Sequence, residues 1–239
     1  MRIKGFGVNT RRTDGNFSRL ENQLTYLKEA GFEYLEVSAD VVDIIGGGKI
    51  IPKKMDKLLR LLENYRFKYT AHIHNGIDLR DNQDRKFQFE SFKSSIEFAG
   101  MIGAELLVCH FEKESDDPAK ESLFREGILT GLEYARNWKL KIGIENIEID
   151  KLSKVIDFVK EINEPDIILV LDVGHAFLSE HYFGENFLES IKEAASIVSH
   201  IHLSDNFGRF EKMRLENFNL YRVSSYTNRL NLGTNGMEY

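Results

Sequence analysis

Short apolar runs alternate along the chain with longer stretches whose apolar residues recur at helical spacing. The runs predict strands at IKGFGVN (3–9), FEYLEVS (32–38), KYTAHIH (68–74), ELLVCHF (105–111), LKIGIEN (140–146), DIILVLDV (166–173) and VSHIHLS (198–204). Helical patterns fall between them at about 18–30, 53–65, 84–102, 118–138, 151–163 and 184–196. In LENQLTYLKEAGF, Leu20, Leu24 and Leu27 share a helix face, and Gly31 stands where that helix should end. Pro118 after Asp117 marks a helix start, and Pro165 separates a helix from the next strand. Strand then helix, repeated along the chain, predicts parallel βα units in an α/β domain spanning 1–239.

Such units build either an open doubly wound sheet or a closed barrel. No GxGxxG or phosphate-loop pattern follows the first strand, so the nucleotide-binding open sheets lack their usual signature, and no organic cofactor site is expected. The glycines at 46–48 lack the Lys-Ser/Thr of a phosphate loop and read as a flexible loop.

Side chains alternate across a strand, and in a barrel one set points inward. Ile201 and Leu203 suit the helix-facing side, which turns His200 and His202 inward. The same alternation turns His72 and His74, His110, Glu145 and Asp172 inward, and sends Cys109 to the helix-facing core. Five strands thus deliver an inward His, Asp or Glu near the C-terminal end, where barrel enzymes carry their sites. One buried imidazole is ordinarily satisfied by core hydrogen bonds. Several converging charges are not, because each isolated buried charge costs several kcal/mol or more. A divalent cation offsets that cost, and mixed His and carboxylate donors suit Zn²⁺ or Mn²⁺, or Mg²⁺ where the histidines contribute little. Glu145, Asp172 and His202 are the preferred ligands, with His200 as support, and His74 and His181 as outlying or surface groups.

Composition narrows the classes. The 239 residues are 42% hydrophobic and 29% charged, with a net charge of −6, which gives no general attraction to nucleic acid or an acidic membrane. Cys109 is the only cysteine, which excludes an intrachain disulfide and thiolate metal clusters. The start, MRIKGFGVNT, has no apolar leader, and no run approaches the roughly 18 apolar residues of a membrane span. These absences lead to the expectation of a cytoplasmic protein.

GFEYLEV, IGIENI, LDVGHA and HIHLSDNFG, in this order, resemble the xylose-isomerase-like barrel superfamily, which holds metal-dependent sugar isomerases and epimerases and the apurinic-site endonucleases. The resemblance implies a (β/α) TIM-type barrel with seven recognisable strands and the eighth βα unit missing. It implies that Glu145, Asp172 and His202 are ligands of a divalent metal (Mn, Zn, Mg or Co) and that Glu145 and His175 are catalytic. It adds His72, His110, Glu36 and His200 as further metal or substrate groups. The expected function is proton transfer next to a metal-bound carbonyl of a small sugar-like substrate. The family's last-strand glutamate has no counterpart before Tyr239, and Lys151 stands where the epimerases carry a second glutamate. A tail over 207–239 would cover the gap as a lid, or a second copy of the chain would do so. The first alternative is phosphodiester hydrolysis at abasic DNA, although Thr227 and Arg229 replace that subfamily's Asp-x-His. The tail's Arg209, Lys212, Arg214, Arg222 and Arg229, interleaved with Phe210, Phe218, Tyr221 and Tyr226, read as a solvated lid rather than a nucleic-acid surface. The second alternative is a barrel remnant that binds metal or ligand without catalysis.

Overall fold

A computed structural model describes residues 3–210, residue 212 and the backbone of 229–230. The lid expected over 207–239 otherwise lies outside the described residues.

The chain forms two compact units, Met1–Val108 with Asp117–Ile142, and Cys109–Asp116 with Gly143–Tyr239. The first holds β1 (Gly7–Asn9), α1 (Phe17–Glu29), β2 (Tyr34–Ser38), a hairpin of β3 (Ile45–Gly46) and β4 (Lys49–Ile50), α2 (Pro52–Leu62), β5 (Lys68–His72), α3 (Arg85–Met101), most of β6 (Ala104–His110) and α4 (Pro118–Arg136). The second takes in the end of β6, β7 (Lys141–Glu145) from Gly143 onward, α5 (Leu152–Ile162), β8 (Ile167–Asp172), α6 (Val173–Phe183), α7 (Phe187–Ala194), β9 (Val198–His202) and β10 (Asp205–Asn206). Antiparallel to β10 runs β11 (Arg229–Leu230). The strand order is β1-β2-β5-β6-β7-β8-β9, the sequential order of parallel βα units. Among the described residues this sheet has seven strands.

Local chemistry explains the helices. Asn16 caps α1, its side chain accepting the Arg19 N–H at 3.1 Å, and Leu20, Leu24 and Leu27 form the buried stripe. Asp117 caps α4 by accepting the Ala119 N–H at 2.9 Å, with Pro118 in the first turn. Asn163 ends α5 in the left-handed conformation at φ 51°.

Three features depart from the expected pattern. The glycines at 46–48 sit in a tight hairpin, with Gly47 and Gly48 at φ 58° and 75°, and Ser94 Oγ donates to Gly48 O at 2.8 Å. Helix α6 has no counterpart in the periodicity, since β8 enters it directly. Its buried residues Gly174, His175, Ala176, Leu178, Ser179 and Glu180 are nearly contiguous and half polar, so no apolar stripe exists to be read. Ile201 and Leu203, expected against a helix, are 44% and 63% exposed. Among the described residues β9 is followed by β10 and not by a helix that could cover them. No described helix is long and apolar enough to cross a membrane.

Candidate metal centre

The site lies in the second unit, where β7, β8 and β9 end on Glu145, Asp172 and His202. Parallel register sets Asp172 directly beside His202. Glu145 and Asp172 are each 2% exposed. Glu145 Oε1 lies 2.6 Å from His202 Nδ1, and its Oε2 lies 3.4 Å from Nε2 of His110, the last residue of β6. One donor atom each from Glu145, Asp172 and His202 lie within 4.8 Å of one another. Donors of these types, gathered this closely, suit a shared divalent cation.

Asp172 is also the N-cap of α6. Its Oδ1 accepts the His175 N–H at 2.8 Å and the Ser204 hydroxyl at 2.9 Å, so the positive end of the helix faces the carboxylate. Asn146, next to Glu145, holds β8 at the right height. Its amide donates to Asp172 O at 3.0 Å, and its carbonyl accepts the Asp172 N–H at 2.9 Å. Gly174 allows the chain after β9 to pass close by, since a Cβ there would stand 2.3 Å from Ser204 Oγ and 2.8 Å from Ser204 O.

His175 is 2% exposed. Its Nδ1 pairs with Glu148 Oε2, and its Nε2 lies 3.9 Å from Asp172 Oδ2. His110 has a similar neighbour, with Glu112 Oε1 at 3.3 Å from its Nδ1. Glu112 holds a left-handed backbone at φ 62°, and its Oε2 is buried without a hydrogen-bond partner among the described residues. His200 stacks edge-on against His202 with ring centroids 5.2 Å apart. His181 stacks on Phe177, with centroids 6.4 Å apart. Burial first, and then the negative charge of Glu145, push the Cys109 thiol far up, so it stays protonated and is no metal ligand. Burial likewise raises the Asp150 carboxyl, although it accepts the N–H groups of Glu114 at 2.9 Å and Lys151 at 2.8 Å.

The remaining expected residues belong to the first unit. Glu36, buried in β2, accepts from Asn9 Nδ2 at 2.9 Å and from Thr70 Oγ1 at 3.1 Å. His72 closes β5, with Nδ1 at 3.2 Å from Ile73 O. His74 pairs through Nδ1 with Asp40 Oδ1 at 2.5 Å.

Asn146, Glu148, Glu112 and Ser204 were not singled out from the sequence. Asn146 follows Glu145 and Ser204 follows the HIHL run, so adjacency to a chosen residue was their only signal. The glutamates stand in loops, where alternation assigns no direction.

The profile of the xylose isomerase-like TIM barrel family matches residues 24–237. The chain belongs to this family. An uncharacterised protein from Methanocaldococcus jannaschii is 27% identical over 217 residues, covering 86% of this chain and 79% of the relative. The fold superposes on a D-tagatose 3-epimerase-like protein with a TM-score of 0.67 at 20% identity, covering 86% of this chain and 78% of that one. It superposes on the IolI protein, solved with a bound zinc atom, with a TM-score of 0.60 at 17% identity, covering 84% and 73%. At these identities the two structures bear on the xylose isomerase-like fold alone.

Proposed function

We propose that Glu145, Asp172 and His202 hold a divalent cation and that the protein is an isomerase or epimerase of a small sugar or polyol-like substrate. The observation that carries this reading is the convergence of two buried carboxylates and an imidazole, from three neighbouring strands, within 4.8 Å. The epimerase-like neighbour supports the substrate class, and the zinc in IolI supports a metal. The donor set fits Mn²⁺, Zn²⁺ or Co²⁺, and Mg²⁺ with less help from imidazole.

A cation bound there would withdraw electrons from a substrate carbonyl and its neighbouring hydroxyl, and so acidify the C–H between them. Glu145 has the carboxylate that would remove that proton and deliver it to the neighbouring carbonyl carbon, which gives the isomer; an epimer would need delivery from the opposite face by a second carrier. His202 holds Glu145 Oε1 in place through its 2.6 Å contact. His175, beside Asp172, orients a substrate oxygen. Asn146 fixes the Asp172 backbone, and Ser204 keeps its carboxylate from rotating.

The test is solvent deuterium exchange and epimer formation over a panel of ketoses, with Mn²⁺, Zn²⁺, Mg²⁺ or Co²⁺ added in turn. Metal-dependent exchange that Glu145→Gln abolishes is expected. Tight metal binding with no exchange on any sugar would overturn the isomerase reading and leave a binding protein. His110, 3.4 Å from Glu145, favours a second reading in which an additional ion supports hydrolysis of a phosphodiester at abasic DNA. Cleavage of an abasic oligonucleotide, absent from an intact control, would decide for it.

A further inference from the structure

We propose that a cleft in the first unit, between the end of α1 and the starts of β2 and β5, binds the phosphate group of a small soluble molecule. Nothing in this site depends on the isomerase reading.

The cleft has a volume of about 280 Å³ and is lined by Lys28, Gly31, Phe32, Glu33, Arg66 and Lys68. Three cations therefore stand with one acid, in a chain whose net charge is −6. A concave surface dominated by one sign focuses the field, so these charges act together on an anion. Aromatic rings, rather than acids, hold two of them. Lys28 Nζ lies 4.9 Å from the centroid of the Phe67 ring, and Lys68 Nζ lies 4.9 Å from that of Tyr34. A neutral ring face holds an ammonium without cancelling its charge. Among the described residues Lys28 and Arg66 have no carboxylate partner. Lys68 has Glu33 at 3.9 Å, with the two side chains 56% and 68% exposed, so that pair is weak.

Arg66 stands at φ 51°, a backbone conformation that suits glycine and strains other residues. The fold alone would favour glycine there, and the exposed Arg66 side chain adds nothing to the core. Its planar guanidinium matches two phosphate oxygens at once, and the two ammoniums supply point charges beside it. Gly31 leaves open space where a Cβ would stand, so the rim is open to a ligand. Lys28 also complements the carbonyl end of α1, but that end explains neither Arg66 nor Lys68. Lys68 opens β5, whereas His72, the candidate site residue of that strand, closes it.

The experiment is a series of ¹H–¹⁵N spectra of the full ¹⁵N-labelled chain, titrated with inorganic phosphate at mildly alkaline pH against sodium chloride of the same ionic strength. The amide signals of Lys28, Gly31, Glu33, Arg66 and Lys68 should move together and saturate with phosphate and not with chloride. Lys28→Ala, Lys68→Ala and Arg66→Gly should each raise the dissociation constant by at least about threefold. Glu33→Gln removes the one acid and should lower it by about twofold. Arg66→Gly is the decisive variant. Its melting temperature should stay at or above wild type, so weaker binding there is a loss of charge and not of fold. Lys53→Ala, an exposed lysine outside the cleft, should leave the constant unchanged. Phosphate shifts that avoid the cleft, shifts that do not saturate, or equal weakening by Lys53→Ala and Arg66→Gly would each overturn the proposal. A second arm sediments the chain with phosphatidylcholine vesicles that carry phosphatidic acid. Sedimentation that Arg66→Gly abolishes would assign the phosphate to a lipid and overturn the soluble ligand.

Discussion

Glu145 Oε1 and His202 Nδ1 stand 2.6 Å apart although 57 residues separate them in the chain. Between β7, which carries one, and β9, which carries the other, runs β8, whose Asp172 is in register with His202. Three consecutive parallel strands thus present a carboxylate, a second carboxylate and an imidazole at one level. The His–Glu contact offsets part of the repulsion between the two acids, and a cation would offset more of it.

Removal of any one donor should therefore weaken metal binding without unfolding the chain. Glu145→Gln, Asp172→Asn and His202→Ala are each expected to raise the Mn²⁺ dissociation constant by at least about tenfold in titration calorimetry. Asp172→Asn is the most informative, because an amide oxygen can still cap α6 by accepting the His175 N–H. Its melting temperature should stay near wild type while its affinity falls. Unchanged affinity in all three variants would remove the proposed centre.

The legible part of this molecule was the part written in alternation. Leu169 and Leu171 flanking Val170 and ending on Asp172 gave both the strand and the direction of the acid, and Leu20, Leu24 and Leu27 gave α1. Helix α6 was hidden because its buried residues are nearly contiguous and half of them are polar. Ile201 and Leu203 read as covered, since an apolar residue in a strand predicts burial; their exposure depends on which element follows β9, and strand alternation does not encode that. Glu148 and Glu112 were illegible for a different reason. A loop glutamate turns inward only when a specific imidazole awaits it, and that pairing exists only in the folded chain.

Glu180 is a further buried acid, but its work is structural. Lys151 supplies no side-chain cap to α5, and Glu180 Oε1 accepts the Leu152 N–H at 3.0 Å in its place. Ser190 Oγ donates to Oε2, which ties α7 to the same carboxylate. Glu180→Ala leaves a buried N–H and a hydroxyl unpaired and should cost about 2–4 kcal/mol in urea denaturation. Glu180→Gln keeps one good acceptor and should cost less than half as much. Equal stability of all three proteins would show that solvent or a neighbour replaces the cap.

Two helix glycines in the first unit should respond differently to the same methyl group. A Cβ on Gly131 would stand 2.3 Å from Cε1 of Phe92, which is fully buried, so α3 and α4 would have to separate. A Cβ on Gly100 would stand 2.1 Å from Trp138, but that ring is 44% exposed and can swing outward. Alanine is intrinsically favoured over glycine within a helix by about 1 kcal/mol. Gly131→Ala should therefore destabilise by roughly 1–3 kcal/mol, whereas Gly100→Ala should fall within about 1 kcal/mol of wild type in either direction. Trp138 fluorescence should red-shift only in Gly100→Ala, as the ring moves into water.

Asp40 gives the first unit a pH-dependent component of stability whose sign is fixed by its partners. Burial would raise its carboxyl, but the hydrogen bond and charge of His74, the Asn75 N–H and Arg12 together outweigh burial and hold the pKa below its ordinary 3.8. The contacts are short, with His74 Nδ1 at 2.5 Å from Oδ1 and Asn75 N at 2.9 Å from Oδ2. A carboxyl whose pKa is lower folded than unfolded stabilises the fold above the unfolded value, and that contribution fades as the pH falls through the folded one. Asp40→Asn keeps the shape, offers a single acceptor oxygen and cannot carry the charge. It should cost roughly 1–3 kcal/mol at neutral pH, with the gap to wild type narrowing steadily below about pH 4. Urea titrations of both proteins across that range measure the gap. A difference that stays constant or widens on acidification would mean that the His74 pair does not hold the Asp40 charge.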